Sequence, residues 1–373
     1  MLKHLFRTAI NYKLTNKFYE GECIKDLFFR NNIFVKNYCL GVAKLEQIYT
    51  GRFGSQRNKL YSNKQPVVLL SGILSFFGIG STPEEEEEPL ITTIKRGILC
   101  IQREQYDKAE QILHVALKMA QDLQDEDGIT YVYDVLANLA FQTRQFGKAK
   151  KLFTSVLQRL IANGEPEDSN KVVDISLKIA KIFEETKEFS KAEQGFKFCI
   201  ETLDNKLNTD DQDTLALWGM SMDWYARFLL DRNKKQEALV CFRKAYEMCV
   251  KVNGVVHEQT VVLLNDLGTV ASLIGDHESA LNYLEKARDI GMSLPEMKDL
   301  PAIYINLGQL YLIREMYKES KLACQQGLKL AKQYGDDISV TEANECFNKI
   351  SSVLKGKEVN KDLPQVPHVA VNH

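Results

Sequence analysis

Four columns of small and apolar residues, each recurring six times, constrain this chain of 373 residues more than any other feature of it. The segments "QYDKAEQIL", "QFGKAKKLF", "EFSKAEQGF", "NKKQEALVCF", "DHESALNYL" and "MYKESKLAC" align on one small residue each: Ala109, Ala149, Ala192, Ala238, Ala280 and Ser320. The intervals between them are 40, 43, 46, 42 and 40 residues. Twelve positions upstream stand Gly97, Ala137, Ala180, Ala226, Gly268 and Gly308, all small. Four positions downstream come Leu113, Phe153, Phe196, Phe242, Leu284 and Cys324. Seven downstream come Ala116, Val156, Cys199, Ala245, Ala287 and Gly327.

Offsets of four and seven keep one face of a helix, and a small residue upstream lets a preceding helix come close. Each unit therefore reads as a helical hairpin, with the two downstream columns expected to face the next hairpin. One hairpin cannot bury such a face alone, so the units must stack. The columns resemble the tetratricopeptide repeat, in the longer variety of about 42 residues found in kinesin light chains rather than the usual ~34. The resemblance implies an all-α fold: a right-handed superhelical solenoid of about six hairpins. Repeat four departs most, with Lys235 in place of the aromatic found at Tyr106, Phe146, Phe189 and Tyr317. Turns are expected at "DEDG", "NGEPEDSN", "NKLNTDDQD" and "SLPEMKDLP". After the sixth hairpin, Ala343, Cys346, Phe347, Ile350, Val353 and Leu354 share a helical face and read as a capping helix.

Ahead of the repeats the chain is different in kind. Residues 1–64 hold twelve Lys/Arg against four Asp/Glu, a charge of +8 in a chain whose total is −2. The remainder thus carries −10, half of it in Glu84 to Glu88. In "MLKHLFRTAINYKLTNKFYE" no acid precedes Glu20, and bases alternate with apolar residues. That pattern reads as a mitochondrial transit peptide, not a secretory signal, because Lys13 and Lys17 interrupt any apolar core. The bases are strung out and no reader motif accompanies them, which argues against nucleic acid. An uncharged run follows at 65–83, with Val67, Leu69, Leu70, Ile73, Leu74, Phe76, Phe77 and Ile79 as its apolar residues. Its length is near the lower limit for a helical span. Insertion into a membrane is the expectation; a shallow interfacial segment and a buried helix are the alternatives. The expected organisation is a leader at 1–64, a membrane-associating segment at 65–83, an acidic linker at 84–91, the solenoid at 92–355 and a disordered tail at 356–373. Eight scattered cysteines without a CxxC pair are read as reduced and mostly buried, as suits the cytosol or the mitochondrial matrix.

Motifs for chemistry are lacking. None of the six histidines forms HExxH or joins a cysteine at zinc spacing, and His114 reads as a structural residue among core positions. No phosphate loop, nucleophile elbow or kinase signature occurs. The expectation is a protein with no catalytic residue, metal, cofactor or small-molecule substrate. The repeat geometry instead offers a groove. Positions fifteen and eleven before each anchor would line it: Asp134 and Asn138, Leu177 and Lys181, Asp223 and Arg227, Asn265 and Thr269, Ile305 and Gln309. Mixed polar residues there suit a peptide held by side-chain hydrogen bonds. The acidic body favours a ligand with basic character.

Several stretches carry a closer resemblance: "AEQILHVALKMA", "ITYVYDVLANLAF", "ISLKIAKIF", "FKFCIETL" and "HEQTVVLLNDLGTV". Behind a leader, an apolar run and an acidic run, they resemble the mitochondrial tetratricopeptide repeat protein 19 family across roughly residues 84–350. The resemblance implies an inner-membrane protein bound to respiratory complex III. It would aid clearance of N-terminal fragments of the Rieske iron–sulfur subunit, without being a protease or redox carrier. That role places the repeats in the matrix, whereas Lys59 and Lys64 before the apolar run and the glutamates after it place them outside the matrix by the charge rule. The matrix is the expectation taken here. The alternative reading is a cytosolic cargo or peptide adaptor like a kinesin light chain, which leaves the leader and the apolar run unexplained.

Overall fold

The computed structural model describes residues 89–361, apart from 209 and 296. The leader, the apolar run at 65–83, the glutamate run and the last residues of the tail lie outside the described residues. Within them thirteen helices and no strand occur. The first hairpin is α1 (Pro89–Gln102) with α2 (Tyr106–Asp122), the second α3 (Glu126–Gln142) with α4 (Phe146–Ala162). The third is α5 (Asn170–Glu185) with α6 (Phe189–Asp204), the fourth α7 (Gln212–Asp231) with α8 (Lys235–Asn253). The fifth is α9 (Glu258–Leu273) with α10 (His277–Ser293), and the sixth α11 (Leu300–Ile313) with α12 (Tyr317–Tyr334). A final helix, α13 (Asp337–Lys361), packs on the sixth and continues past residue 355 into the segment expected to be tail.

The two small columns meet inside each hairpin. All twelve of these residues, from Gly97 and Ala109 to Gly308 and Ser320, are buried. A Cβ on Gly268 would lie 2.5 Å from Leu284 Cγ and 3.2 Å from the Ala280 carbonyl oxygen. No side chain fits there, so glycine sets the helix separation. Ser320, the one polar anchor, donates its hydroxyl to the Gly308 carbonyl at 2.7 Å and so is accommodated where the others carry alanine.

The downstream columns do not both face the next hairpin, contrary to the expectation. The first touches both neighbours: Leu113, Leu284 and Cys324 pack on Gly97, Gly268 and Gly308 of their own hairpins, and the Phe196 ring lies 5.6 Å from Phe228 and 6.1 Å from Tyr225, both on α7. The second packs back on its own partner helix. A Cβ on Gly327 would lie 2.9 Å from Ile305, and the Cys199 thiol donates to the Val173 carbonyl at 3.6 Å. Helical geometry explains the split, because seven residues is almost two whole turns and returns to the anchor's own face.

Short turns close the hairpins through a conformation that size patterning does not reveal. Five residues before each anchor the backbone is left-handed, at Glu104, Arg144, Lys187, Asn233, Gly275 and Glu315. At Arg144 the amide donates to the Phe141 carbonyl, and the next amide, Gln145, to the Ala140 carbonyl, the pattern of a Schellman motif. The following helix then begins at once, so the connection costs few residues.

Two expectations need correction at the C-terminal end. Cys324 of α12 and Cys346 of α13 form a disulfide, with Cα atoms 6.4 Å apart, where every cysteine was expected reduced. The reason is positional: Cys324 occupies the column that reaches the next element, and the next element is a capping helix with a cysteine on its buried face. Gly308 backs the pair, since a Cβ there would collide with the Cys324 sulfur. Cys100, Cys199, Cys241 and Cys249 are free. On the capping helix Ala343, Cys346 and Ile350 are buried, but Val353 and Leu354 are exposed, because the sixth hairpin ends before covering them. Alkylation of the denatured, unreduced protein should leave the Cys324 and Cys346 peptides joined and unmodified; finding both alkylated would contradict the pairing.

Candidate functional site

The first helices of the hairpins share one face on which polar residues break an otherwise apolar pattern. Hairpins two apart communicate across it. The Phe141 ring of α3 stacks on Trp224 of α7 at 6.5 Å between centroids and 15° between planes. Neighbouring helices sit about 8–10 Å apart, so rings two hairpins apart meet only if the stack curls toward this face. The face is therefore concave, and the sequence-predicted groove residues can be located on it.

Most of them are engaged with the protein itself. Arg227 donates through Nε to Asp223 at 3.1 Å and through Nη2 to Asp266 of the next hairpin at 2.5 Å. Asn306 of α11 donates to the Asn265 side-chain oxygen at 2.9 Å and to the Thr269 hydroxyl at 3.4 Å. Thr269 donates to the Asn265 carbonyl, and the Asn138 amide donates to the Asp134 carbonyl. Lys181 pairs with Glu184 at 3.0 Å and Glu185 at 3.7 Å. Gln309 is half-buried on α11. Leu177 and Ile305 are fully buried core residues.

Sequence reasoning missed the partners. Lys178, Asp266 and Asn306 stand fourteen residues before their anchors, one position from the expected ones, and Asp174 lies one turn earlier. A polar residue recurring beside the two chosen columns was the available signal. Lys178 donates to Asp174 at 2.7 Å and lies close to Asp134. Glu184 and Glu185 close the same helix, and Glu185 pairs with Arg144 of the second hairpin at 3.3 Å. His114, expected among core positions, is exposed on α2 and lies 3.5 Å from Glu110, one turn earlier on the helix surface.

Burial sets the electrostatics of the face. It pushes the Asp266 carboxyl up to about 6, against the pull of Arg227 and with Asp223 and Asp299 adding to the rise. Burial likewise raises Asp134, opposed by Lys178 and reinforced by Asp174. It raises Glu184 against the pull of Lys181. Desolvation disfavours the Lys178 ammonium, but Asp174 and Asp134 outweigh it and the group is held above the ordinary lysine range. Two clusters hold two acids to one base, Asp134 and Asp174 around Lys178 and Asp223 and Asp266 around Arg227, while Glu184 and Glu185 share Lys181 and Glu185 also takes Arg144. Among the described residues no group of three or more histidines, cysteines or acids is placed to hold a metal ion, and no helix is long and apolar enough to cross a membrane.

A carboxyl raised by folding adds stability in its protonated form. For Asp266 that contribution is complete below the unfolded value near 3.8 and lost as pH rises through about 6. Thermal melts between pH 7 and pH 4 should therefore gain about 2 kcal/mol on acidification from this group, and Asp266→Asn should remove that limb. An unchanged pH profile in the variant would refute the assignment.

The tetratricopeptide repeat family model matches residues 213–292, and a second model of the same description matches residues 301–334. The chain is 40% identical over 288 residues to the mitochondrial tetratricopeptide repeat protein 19 homolog of Drosophila melanogaster, covering 76% of this chain and 78% of that one. It is 32% identical over 280 residues to mitochondrial tetratricopeptide repeat protein 19 of Homo sapiens, covering 72% and 73%. Among solved structures, the apo form of the quorum sensor NprR from B. thuringiensis superimposes with a TM-score of 0.58 at 17% identity, over 73% of each chain. That likeness concerns the solenoid fold.

Proposed function

Because the chain belongs to the mitochondrial tetratricopeptide repeat protein 19 family, we propose that it is a non-enzymatic scaffold that binds respiratory complex III. In this reading it preserves the complex by helping to clear N-terminal fragments left when the Rieske iron–sulfur subunit is processed. The observation that carries the reading within this chain is the acid surplus of the concave face. Two clusters there, around Lys178 and Arg227, each hold two carboxyls to one base, and fragments derived from import sequences are basic. In this reading the scaffold presents fragments and does not cleave them.

The same proposal gives residues 1–64 to mitochondrial import and 65–83 to the inner membrane, with the repeats in the matrix where such fragments arise. The charge order around 65–83 and the Cys324–Cys346 disulfide, a bond that persists in oxidising compartments, favour the intermembrane space instead. Protease treatment of mitoplasts separates the two, and repeats digested before the inner membrane is opened would end the matrix placement. The adaptor reading draws only on the long repeat period, and the relatives at 32–40% identity bear mitochondrial names.

Cells lacking the protein should show lowered ubiquinol–cytochrome c reductase activity together with accumulated Rieske N-terminal fragments, seen by immunoblot of purified mitochondria. Normal fragment turnover in those cells would rule the mechanism out.

A further inference from the structure

The concave face of hairpins two and three is short of hydrogen-bond donors. Three of its acceptor atoms, Asp134 Oδ1, Gln142 Oε1 and Glu184 Oε2, are sealed from solvent and have no hydrogen-bond partner. Gln142 already donates to the Tyr106 hydroxyl, 3.2 Å away, and exchanging the ends of its amide would leave a donor unpaired in place of an acceptor. A carboxylate has no donor to turn, so the two acids carry the inference. Glu184 is only 7% exposed, and its other oxygen already receives Lys181 at 3.0 Å. Asp134 sits beside Lys178, but the ammonium is committed to Asp174 at 2.7 Å.

The next two hairpins show how the same face satisfies such a pair. Between α7 and α9 the acids Asp223 and Asp266 share one guanidinium, which donates to both from Arg227. A guanidinium offers a rigid fork of five donors, whereas the lysines of α5 are point charges that serve their nearest carboxylates. In hairpins two and three the guanidinium at these acids, Arg144, donates to Glu185 at 3.3 Å, and Asp134 and Glu184 are left to the lysines.

We propose that hairpins two and three form a receptor for a basic peptide segment, whose arginine or lysine side chains donate to Asp134 and Glu184. This deepens the functional reading above and rests on it: the ligand class is a basic peptide, and the site is these two hairpins rather than the whole groove. Asp134, half-buried as a residue, meets the ligand first as its covered oxygen is uncovered; Glu184, buried on the first helix of the following hairpin, takes a second donor.

The test is fluorescence anisotropy with the full chain and a labelled synthetic amphipathic peptide carrying several arginines, against its glutamine-substituted twin. Asp134→Asn and Glu184→Gln should each weaken binding of the arginine peptide about tenfold, the worth of one charge-assisted hydrogen bond. Glu201→Gln, an exposed acid on α6, should leave affinity unchanged. Both site variants are isosteric and remove a buried charge, so their melting temperatures should hold or rise, which separates lost binding from lost folding. Equal weakening by all three would reduce the effect to bulk charge, and no weakening by either site variant would leave the acids to ordered water; each outcome overturns the proposal. If cells lacking the protein show the complex III defect while the site variants bind normally, the functional reading stands and this site falls.

Discussion

Everything in this fold depends on how closely the two helices of a hairpin approach. Where the small residue of the first helix meets the anchor of the second, even a methyl group is too much at Gly268, where a Cβ would lie 2.5 Å from Leu284. That closeness buries the anchor beneath the residue four positions on, which at Phe196 also extends to Tyr225 and Phe228 of the next hairpin. Stacking thus follows from pairing. A hairpin held farther apart would bury less of its own interface and present its large residue at the wrong height for its neighbour.

The cost of the arrangement falls on the first helices. Their outer faces converge as the stack curls, and the Phe141–Trp224 contact is one point of that convergence. Polar residues carried there lose water and must find partners among themselves. Arg227 solves this for two acids with one planar group, and the Asn265, Thr269 and Asn306 side chains solve it without charge. Lys178 and Lys181 solve it only in part. The difference between a fork and a point charge is what turns one section of a structural surface into a candidate receptor.

The repeat was legible in the sequence because it is written in residue size: Ala109 and its equivalents, Gly97 and its equivalents, recur without exception. The family resemblance was legible in the same segments. Less legible were features that depend on three dimensions. The left-handed turns at Arg144 and Lys187 are filled by ordinary residues, so composition gives no sign of them. The downstream column at Cys199 and Gly327 faces its own hairpin, not the next, because a two-turn spacing brings no change of face. The disulfide leaves no trace in the sequence, since Cys324 and Cys346 belong to different kinds of element and share no motif. Spacing could not say that Leu177 and Ile305 of the expected groove belong to the core, nor that Asp223 and Arg227 spend themselves on each other.

The central claim is that the concave face of the second and third hairpins meets complex III or the fragments processed within it. Chemical cross-linking of intact mitochondria, read by mass spectrometry, tests it most directly. Links are predicted from Lys187 and Lys191, next to the acids that end α5, to subunits of complex III or to the Rieske N-terminal fragment. Links from these lysines only to proteins outside that complex would contradict it.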